Sequence, residues 1–194
     1  AGRSLGKKIA VVAPNTLEKN RILAAIVSRY LGCPEAIVKR TLGRAKGLEH
    51  RLEFVREVKV HSHVLKNLRI RFYDDSASTN PQTTAAAIAS FNDPMILIAG
   101  GKDKNLDYAP LAKAIKKSGR VKLMILIGEN KRKIRRAIAG SKVKVVSSKD
   151  LKSAVALAYQ SALSILHTLY SILHIILSPG AASFDMFKDY ADRG

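Results

Sequence analysis

Three short stretches hold the residues most able to do chemistry, and each follows an apolar run: "DDSASTNP" (74–81), "GGKDKNLD" (100–107) and "SPGAASFD" (178–185). Asp75, Lys104 and Ser183, with neighbouring hydroxyls and glycines, make a mixed-charge set suited to a small zwitterion or a phosphate. Lys104 supplies a compact positive charge for a carboxylate or phosphate. The glycines let a backbone come close to a ligand, and Ser183, near the start of the last helix, can join backbone N–H groups in holding an anion.

Such a set needs strands and helices that bring the three loops together. From Arg69 onward, short apolar runs alternate with longer amphipathic ones. The runs "RIRFYDD", "MILIAGG", "VKLMILIG", "VKVVSS" and "ILHIILSPG" read as strands, most of them ending in Gly, Ser or Asp. Helical stretches lie between them: Pro81 to Phe91, Tyr108 to Lys117, Asn130 to Ala139, and Lys149 to about Leu163. Thr79 or Asn80 is the candidate N-cap of the first, with Pro81 at its first helical position, and the last starts from Ser148. The alternation predicts an α/β fold, a mostly parallel sheet with helices on both faces, whose strand carboxyl ends form the ligand crevice. All three polar stretches are carboxyl-end loops of that sheet.

The first 68 residues differ. A short apolar run, "IAVVAP", precedes a helix from about Leu17 to Tyr30 and a second from Pro34 to Leu42, then "HRLEFVREVKV", read as a strand. "GRAKGLEH" (43–50) reads as a linker. With so little core of its own, this piece reads as the tail of a larger domain, and 69–194 as a second domain.

Composition narrows the partners. Against 34 Lys+Arg stand 15 Asp+Glu, a net charge of +19, which calls for an anionic partner such as nucleic acid, a membrane surface or a phosphorylated small molecule. The densest run, "KRKIRR" (131–136), reads as a solvated helix face with Ile134 and Ile138 turned inward. The aromatics do not interleave with the basic runs as a single-strand stacking platform requires. Cys33 is the only cysteine, which excludes an intrachain disulfide and a thiolate-rich metal site and fits a reducing, cytoplasmic setting. The N-terminus does not read as a signal peptide. From Ser153 to Phe184 there is no Asp, Glu, Lys or Arg. Polar residues interrupt that run, which reads as a buried helix feeding a buried strand rather than a membrane span.

Four ordered stretches, "HRLEFV" (50–55), "DDSASTNP", "LIAGGKDKNLDYAPL" (97–111) and "LSPGAASFDMFKDYADRG" (177–194), resemble the Mur ligases, and among them the enzymes that add D-glutamate to UDP-N-acetylmuramoyl-L-alanine. The resemblance runs from about Pro14 to Gly194. It implies a bacterial cytoplasmic enzyme of three domains, with a nucleotide-sugar-binding first domain, an ATP-binding central domain whose tail is residues 1–68, and a Rossmann-like third domain, 69–194. It further implies that ATP, with magnesium, converts the substrate carboxylate to an acyl phosphate that the amine of D-glutamate attacks. By position in the motifs, Asn20 resembles the asparagine near the adenine, and Arg51 and Asp75 the contacts to ATP phosphate and ribose. Thr79, Lys104, Ser183, Phe184 and Tyr190 correspond to the D-glutamate pocket.

The sequence also departs from that pattern. It contains no GxxxxGK[ST] loop, so the expectation is that this chain alone is inactive as a ligase. The family's lysine in "SKATN" is Ala77, and its histidine-asparagine pair ahead of Asn20 is Thr16-Leu17. Where the family has a polar turn, this chain has "SALSILHTLYSILH" (161–174). His61, His63, His167 and His174 match no family position, and no metal site is expected. The competing expectation is a non-catalytic basic module of the same fold that binds nucleic acid.

Overall fold

A computed structural model describes residues 16–45, 47–60 and 68–194, which divide into two compact units, 1–46 and 47–194. In the first unit, α1 (Thr16–Tyr30) and α2 (Glu35–Arg44) are joined by a tight turn at Gly32, where φ is +80° and a side chain would be strained. Arg29 clasps Glu35 across that turn with two hydrogen bonds, 2.6 and 2.7 Å. The run "IAVVAP" and the histidines His61 and His63 lie outside the described residues, as does the His167 side chain.

In the second unit the elements follow in chain order as β1 (Glu53–Val60), β2 (Leu68–Asp74), α3 (Pro81–Ala89), β3 (Met95–Gly100), α4 (Ala109–Ser118), β4 (Val121–Ile127), α5 (Lys131–Ala137), β5 (Lys144–Ser147), α6 (Leu151–Leu169), β6 (Ile172–Leu177) and α7 (Tyr190–Arg193). The six strands form one sheet in the order β1-β2-β6-β3-β4-β5. Every neighbouring pair is parallel except β1 with β2, which run antiparallel from Glu53 opposite Asp74 to Val60 opposite Leu68.

Alternate residues of the central strands serve two cores, as the strand period of two requires. Ile96, Ile98, Leu123, Ile125, Leu173 and Ile175 meet α6, which presents Ala154, Ala158, Ala162 and Leu166. That spacing of four puts small side chains in one row and lets the helix lie close to the sheet. On the other face Leu97, Met124, Leu126 and Ile176 meet Ile88 of α3, Leu111 and Ile115 of α4, and Ile134 of α5. The expected α/β architecture, with helices on both faces, is therefore present, and Ile134 and Ile138 are buried beneath "KRKIRR".

β1 completes the hydrogen-bonding edge of β2, and the division into compact units falls between 46 and 47, inside the expected linker. Two details differ from the sequence reading. The cap of α6 is Asp150, whose carboxylate accepts from Ser153 N at 2.7 Å, while the Ser148 hydroxyl donates to Asp150 O. The segment "SALSILHT" continues α6 to Leu169 in place of a polar turn, and "ILHIIL" is β6. His174 of β6 is a core residue, ringed by Tyr73 and Phe91 and 3.2 Å from the Asp93 carboxylate. Among the described residues no helix is long and apolar enough to cross a membrane.

Candidate functional site

Because β6 lies between β2 and β3, the loops that follow these three strands emerge side by side at the carboxyl edge of the sheet. Hydrogen bonds join them. Asp75 N donates to Leu177 O, Gly180 N to Ser78 O, Gly100 N to Pro179 O, and Lys102 N to Ala182 O at 2.9 Å. The β4–α5 loop joins the same surface through Asn130, whose Oδ1 accepts from Gly101 N and whose Nδ2 donates to the Tyr108 hydroxyl. Burial pushes the Tyr108 hydroxyl up to about 12, so it stays protonated and donates to Gly180 O. Gly128, with φ of +75°, lies against the Gly101 backbone, and a side chain there would meet it directly. Glycine is what lets these two loops touch.

The "HRLEF" turn approaches from β1. His50 and Leu52 both hold the left-handed conformation, with φ of 57° and 49°, an uncommon state for such residues. Hydrogen bonds hold the turn in place: His50 N donates to Glu53 Oε2, Leu52 N to Asp75 Oδ1, and Ala77 N to His50 O. The side chain of His50 meets Asp74, Nδ1 to Oδ2 at 2.6 Å. That contact raises the imidazole above its ordinary value, against an opposing effect of burial. Arg51 is therefore carried on a turn fastened to the "DDSASTNP" loop, and strain of this kind persists only where surroundings over-determine it.

The loop that begins at Asp75 is fixed from below. Asp75 is 1 % exposed, and its Oδ2 accepts from Ser178 Oγ at 2.6 Å. Burial pushes its carboxyl up, while the bonds from Ser178 and Leu52 pull it back. Ser76 N donates to Asp74 Oδ1, and the Ser76 hydroxyl donates to Tyr190 O. Arg193 clamps the assembly: Nε donates to Ser76 Oγ, Nη2 to Ser76 O and Nη1 to Ala181 O, at 2.9, 2.9 and 3.1 Å. Its guanidinium is buried and has no carboxylate within bonding range among the described residues. Burial lowers it to about 10.

The expected pocket residues lie around this framework. Lys104 is exposed, with Nζ 5.1 Å from the centre of the Phe184 ring, itself 62 % exposed. Ser183 is buried one residue beyond Ala182, which bonds the Lys104 loop. Thr79 is half-buried in front of Asn80, which caps α3 by accepting from Thr83 N at 3.0 Å. Tyr190 sets its ring edge-on to His50, with centroids 6.2 Å apart. The "HRLEF" turn, the "DDSASTNP" loop and Tyr190 thus meet, and Lys104 meets Phe184. Asn20 is exposed on α1, in the other unit.

Reading the sequence for site residues missed the support: His50 and Asp74, Ser178, Asn130 and Arg193. Asn130 had a usable signal, because it follows a strand end as the other site loops do. Arg193 had none, since nothing in "DYADRG" marks an arginine that will be buried.

A six-stranded, mostly parallel sheet flanked by helices, with its polar loops gathered at the carboxyl edge, defines a Rossmann-like α/β domain. Residues 50–165 match the Mur ligase, glutamate ligase domain family, and the chain belongs to that family. The UDP-N-acetylmuramoylalanine--D-glutamate ligase of Geotalea daltonii is 40 % identical over 174 residues, covering 89 % of this chain and 34 % of the relative. The enzyme of the same name from Syntrophus aciditrophicus is 36 % identical over 176 residues, covering 91 % and 35 %. The chain thus spans about a third of the length of these relatives. The fold is shared with Mycobacterium tuberculosis folylpolyglutamate synthase, solved with ADP and AMPPCP, at a TM-score of 0.57 and 13 % identity over 80 % of this chain and 35 % of that one. A pseudomurein peptide ligase type C from Methanothermus fervidus aligns at 0.50 and 17 % identity, over 82 % and 32 %.

Proposed function

We propose that this chain is the C-terminal part of a bacterial cytoplasmic ligase that joins D-glutamate to UDP-N-acetylmuramoyl-L-alanine, and that its own task is to hold the amino acid. The observation that carries this reading is the Lys102 N to Ala182 O bond, which ties the loop of Lys104 to the loop of Ser183. A lysine, a buried serine and a half-buried threonine on adjoining loops suit a ligand with two carboxylates. Lys104 would take one carboxylate, leaving its present position over Phe184, while Thr79 and Ser183 orient the other. Tyr190 would close the side nearest His50. This arrangement leaves the amine of D-glutamate free to react and fixes its direction.

ATP, when bound, supplies activation of the acceptor carboxylate as an acyl phosphate. The Arg51 guanidinium, presented on a fastened turn, fits a phosphate. Asp75 has both oxygens engaged inside the protein, so it does not fit a magnesium ligand or a direct ribose contact. Its proposed role is to hold the Arg51 turn through Leu52 N. Asn20 keeps the adenine contact as a motif-based proposal only.

The test is a backbone NMR titration of the chain with D-glutamate and with L-glutamate. Shifts should centre on Thr79, Lys104 and Ser183 with the D isomer. Lys104→Ala should weaken binding about tenfold or more, the scale of one lost charge-assisted hydrogen bond. Unchanged affinity in Lys104→Ala, or equal response to the two isomers, would overturn the reading.

A further inference from the structure

The loop that carries Lys104 is held from the start of α5 by two side chains of opposite charge. Glu129, which stands just before the helix, accepts at Oε2 from Asp103 N at 3.2 Å and pairs there with Lys102 Nζ at 2.9 Å. Its own backbone N–H donates to Asp185 Oδ2 at 2.9 Å, two residues beyond Ser183. Lys133, in the first turn of α5, donates to Asn105 Oδ1 at 2.7 Å and to Asp103 Oδ1 at 3.3 Å. The residues on either side of Lys104 are therefore both fastened to one ammonium.

The loop also fastens itself. Asn105 turns through the left-handed region at φ of 55°, which asparagine tolerates, and its N–H donates to Asp103 Oδ1 at 2.8 Å. That bond first, and Lys133 after it, holds the Asp103 carboxyl below the usual carboxylate range. Lys131 and Arg135 of the same basic run turn the other way, donating to Ser148 O and Ser147 Oγ at the end of β5. Lys133 is thus the base of "KRKIRR" that meets the Lys104 loop.

We infer that Glu129 and Lys133 are positioning residues, which fix the reach between Lys104 and Ser183 and so select the length of the dicarboxylate held there. This rests on the reading of Lys104 and Ser183 as the groups that hold D-glutamate. Lysine is a point charge on a flexible four-carbon stem, so its reach is defined only as well as the backbone beneath it. Two carboxylates on one short chain need holders at a matching separation. Glu129 meets both loops, Asp103 N through its carboxylate and Asp185 through its backbone, and so ties their separation to the start of α5. A shorter acid such as D-aspartate would leave one carboxylate short of its partner.

Titration of the full chain with D-glutamate and with D-aspartate, followed by backbone NMR, tests this. Wild type should favour D-glutamate about tenfold, the scale on which a fitted site distinguishes one methylene. Lys133→Met and Glu129→Ala should each weaken D-glutamate binding roughly fivefold, the scale of one hydrogen bond, and leave D-aspartate unchanged, so that the preference drops to about twofold. Lys133→Arg and Glu129→Gln, which keep a donor and an acceptor in place, should restore most of it. Exposed ion pairs add little to stability, so all four variants should unfold as wild type does. Wild-type affinity for D-glutamate in Lys133→Met and Glu129→Ala overturns the inference, and leaves the role of Lys104 standing where Lys104→Ala still weakens binding. An equal loss for both acids also overturns it, since the clamp would then serve order and not length. No binding of D-glutamate, or binding indifferent to Lys104→Ala, removes the underlying reading and the inference with it.

Discussion

Replacing Arg193 with Met tests whether the buried guanidinium holds the site loops together. The substitution keeps much of the side chain's length and removes three hydrogen bonds, at 2.9, 2.9 and 3.1 Å, from a residue 1 % exposed. Ser76 O and Ala181 O would lose a buried donor, at about 1–3 kcal/mol each. Against this stands the desolvation of the guanidinium, visible in its lowering to about 10, which an apolar residue would relieve. The balance is a loss of about 2–3 kcal/mol, read as a drop in Tm of roughly 5–10 °C for a domain of this size. Arg193→Lys should fall between, since an ammonium cannot reach two carbonyls and a hydroxyl in the planar fork that arginine presents. The assay is urea and thermal unfolding followed by circular dichroism, with D-glutamate titrations on the folded variants, whose affinity should weaken as the Ser76 and Ala181 loops part. Wild-type stability in Arg193→Met would refute the reasoning, because the hydrogen bonds would then only balance the burial of the charge.

Two further perturbations address the same edge. Asp74 raises His50 above its ordinary value of 6.5, so the folded state prefers the protonated ring. The stability this gives is complete below 6.5 and is lost as pH rises through the folded value. His174, lowered by burial, has the opposite slope, its contribution being lost as pH falls below 6.5. Urea midpoints across this range should therefore differ between wild type and His50→Gln by the His50 contribution alone, and superimposable profiles would remove His50 from the account. Asn130→Leu strands the Gly101 N–H and leaves the Tyr108 hydroxyl without its donor, a cost of about 2 kcal/mol. Faster amide exchange at Gly101 should accompany it, and unaltered exchange would show that another group can take the place of Asn130.

The sequence revealed the positions of the loops because local signals mark them. Asn80-Pro81 starts a helix whatever surrounds it, and Ile134 and Ile138 turn inward by spacing alone. What it concealed depends on partners far along the chain. "EFVREVKV" reads as a strand, but nothing in it says that it will pair with β2, which puts it in the compact unit 47–194. The charge-free stretch after Lys152 could be read as a buried helix, yet Val155, Ala156, Leu157, Gln160 and Ser164 of it remain exposed.

The adjacent aspartates make the same point at closest range. Both look like ligand contacts by type, since a carboxylate pair at a strand's carboxyl end is a familiar place for one. Strand geometry sends successive side chains to opposite sides, and here each finds a different support: Asp74 meets His50 and Ser76 N, while Asp75 meets Ser178 and Leu52 N. Both carboxylates therefore fasten the "HRLEF" turn to the loop that carries Thr79. Asp75→Asn would keep the acceptor for Leu52 N yet lose the charge-assisted bond from Ser178. If Asp75 acts only as a support, D-glutamate binding should survive that change in proportion to stability. A folded Asp75→Asn variant with normal unfolding but no nucleotide affinity would instead show that the carboxylate reaches the nucleotide, and that the buried arrangement gives way when nucleotide binds.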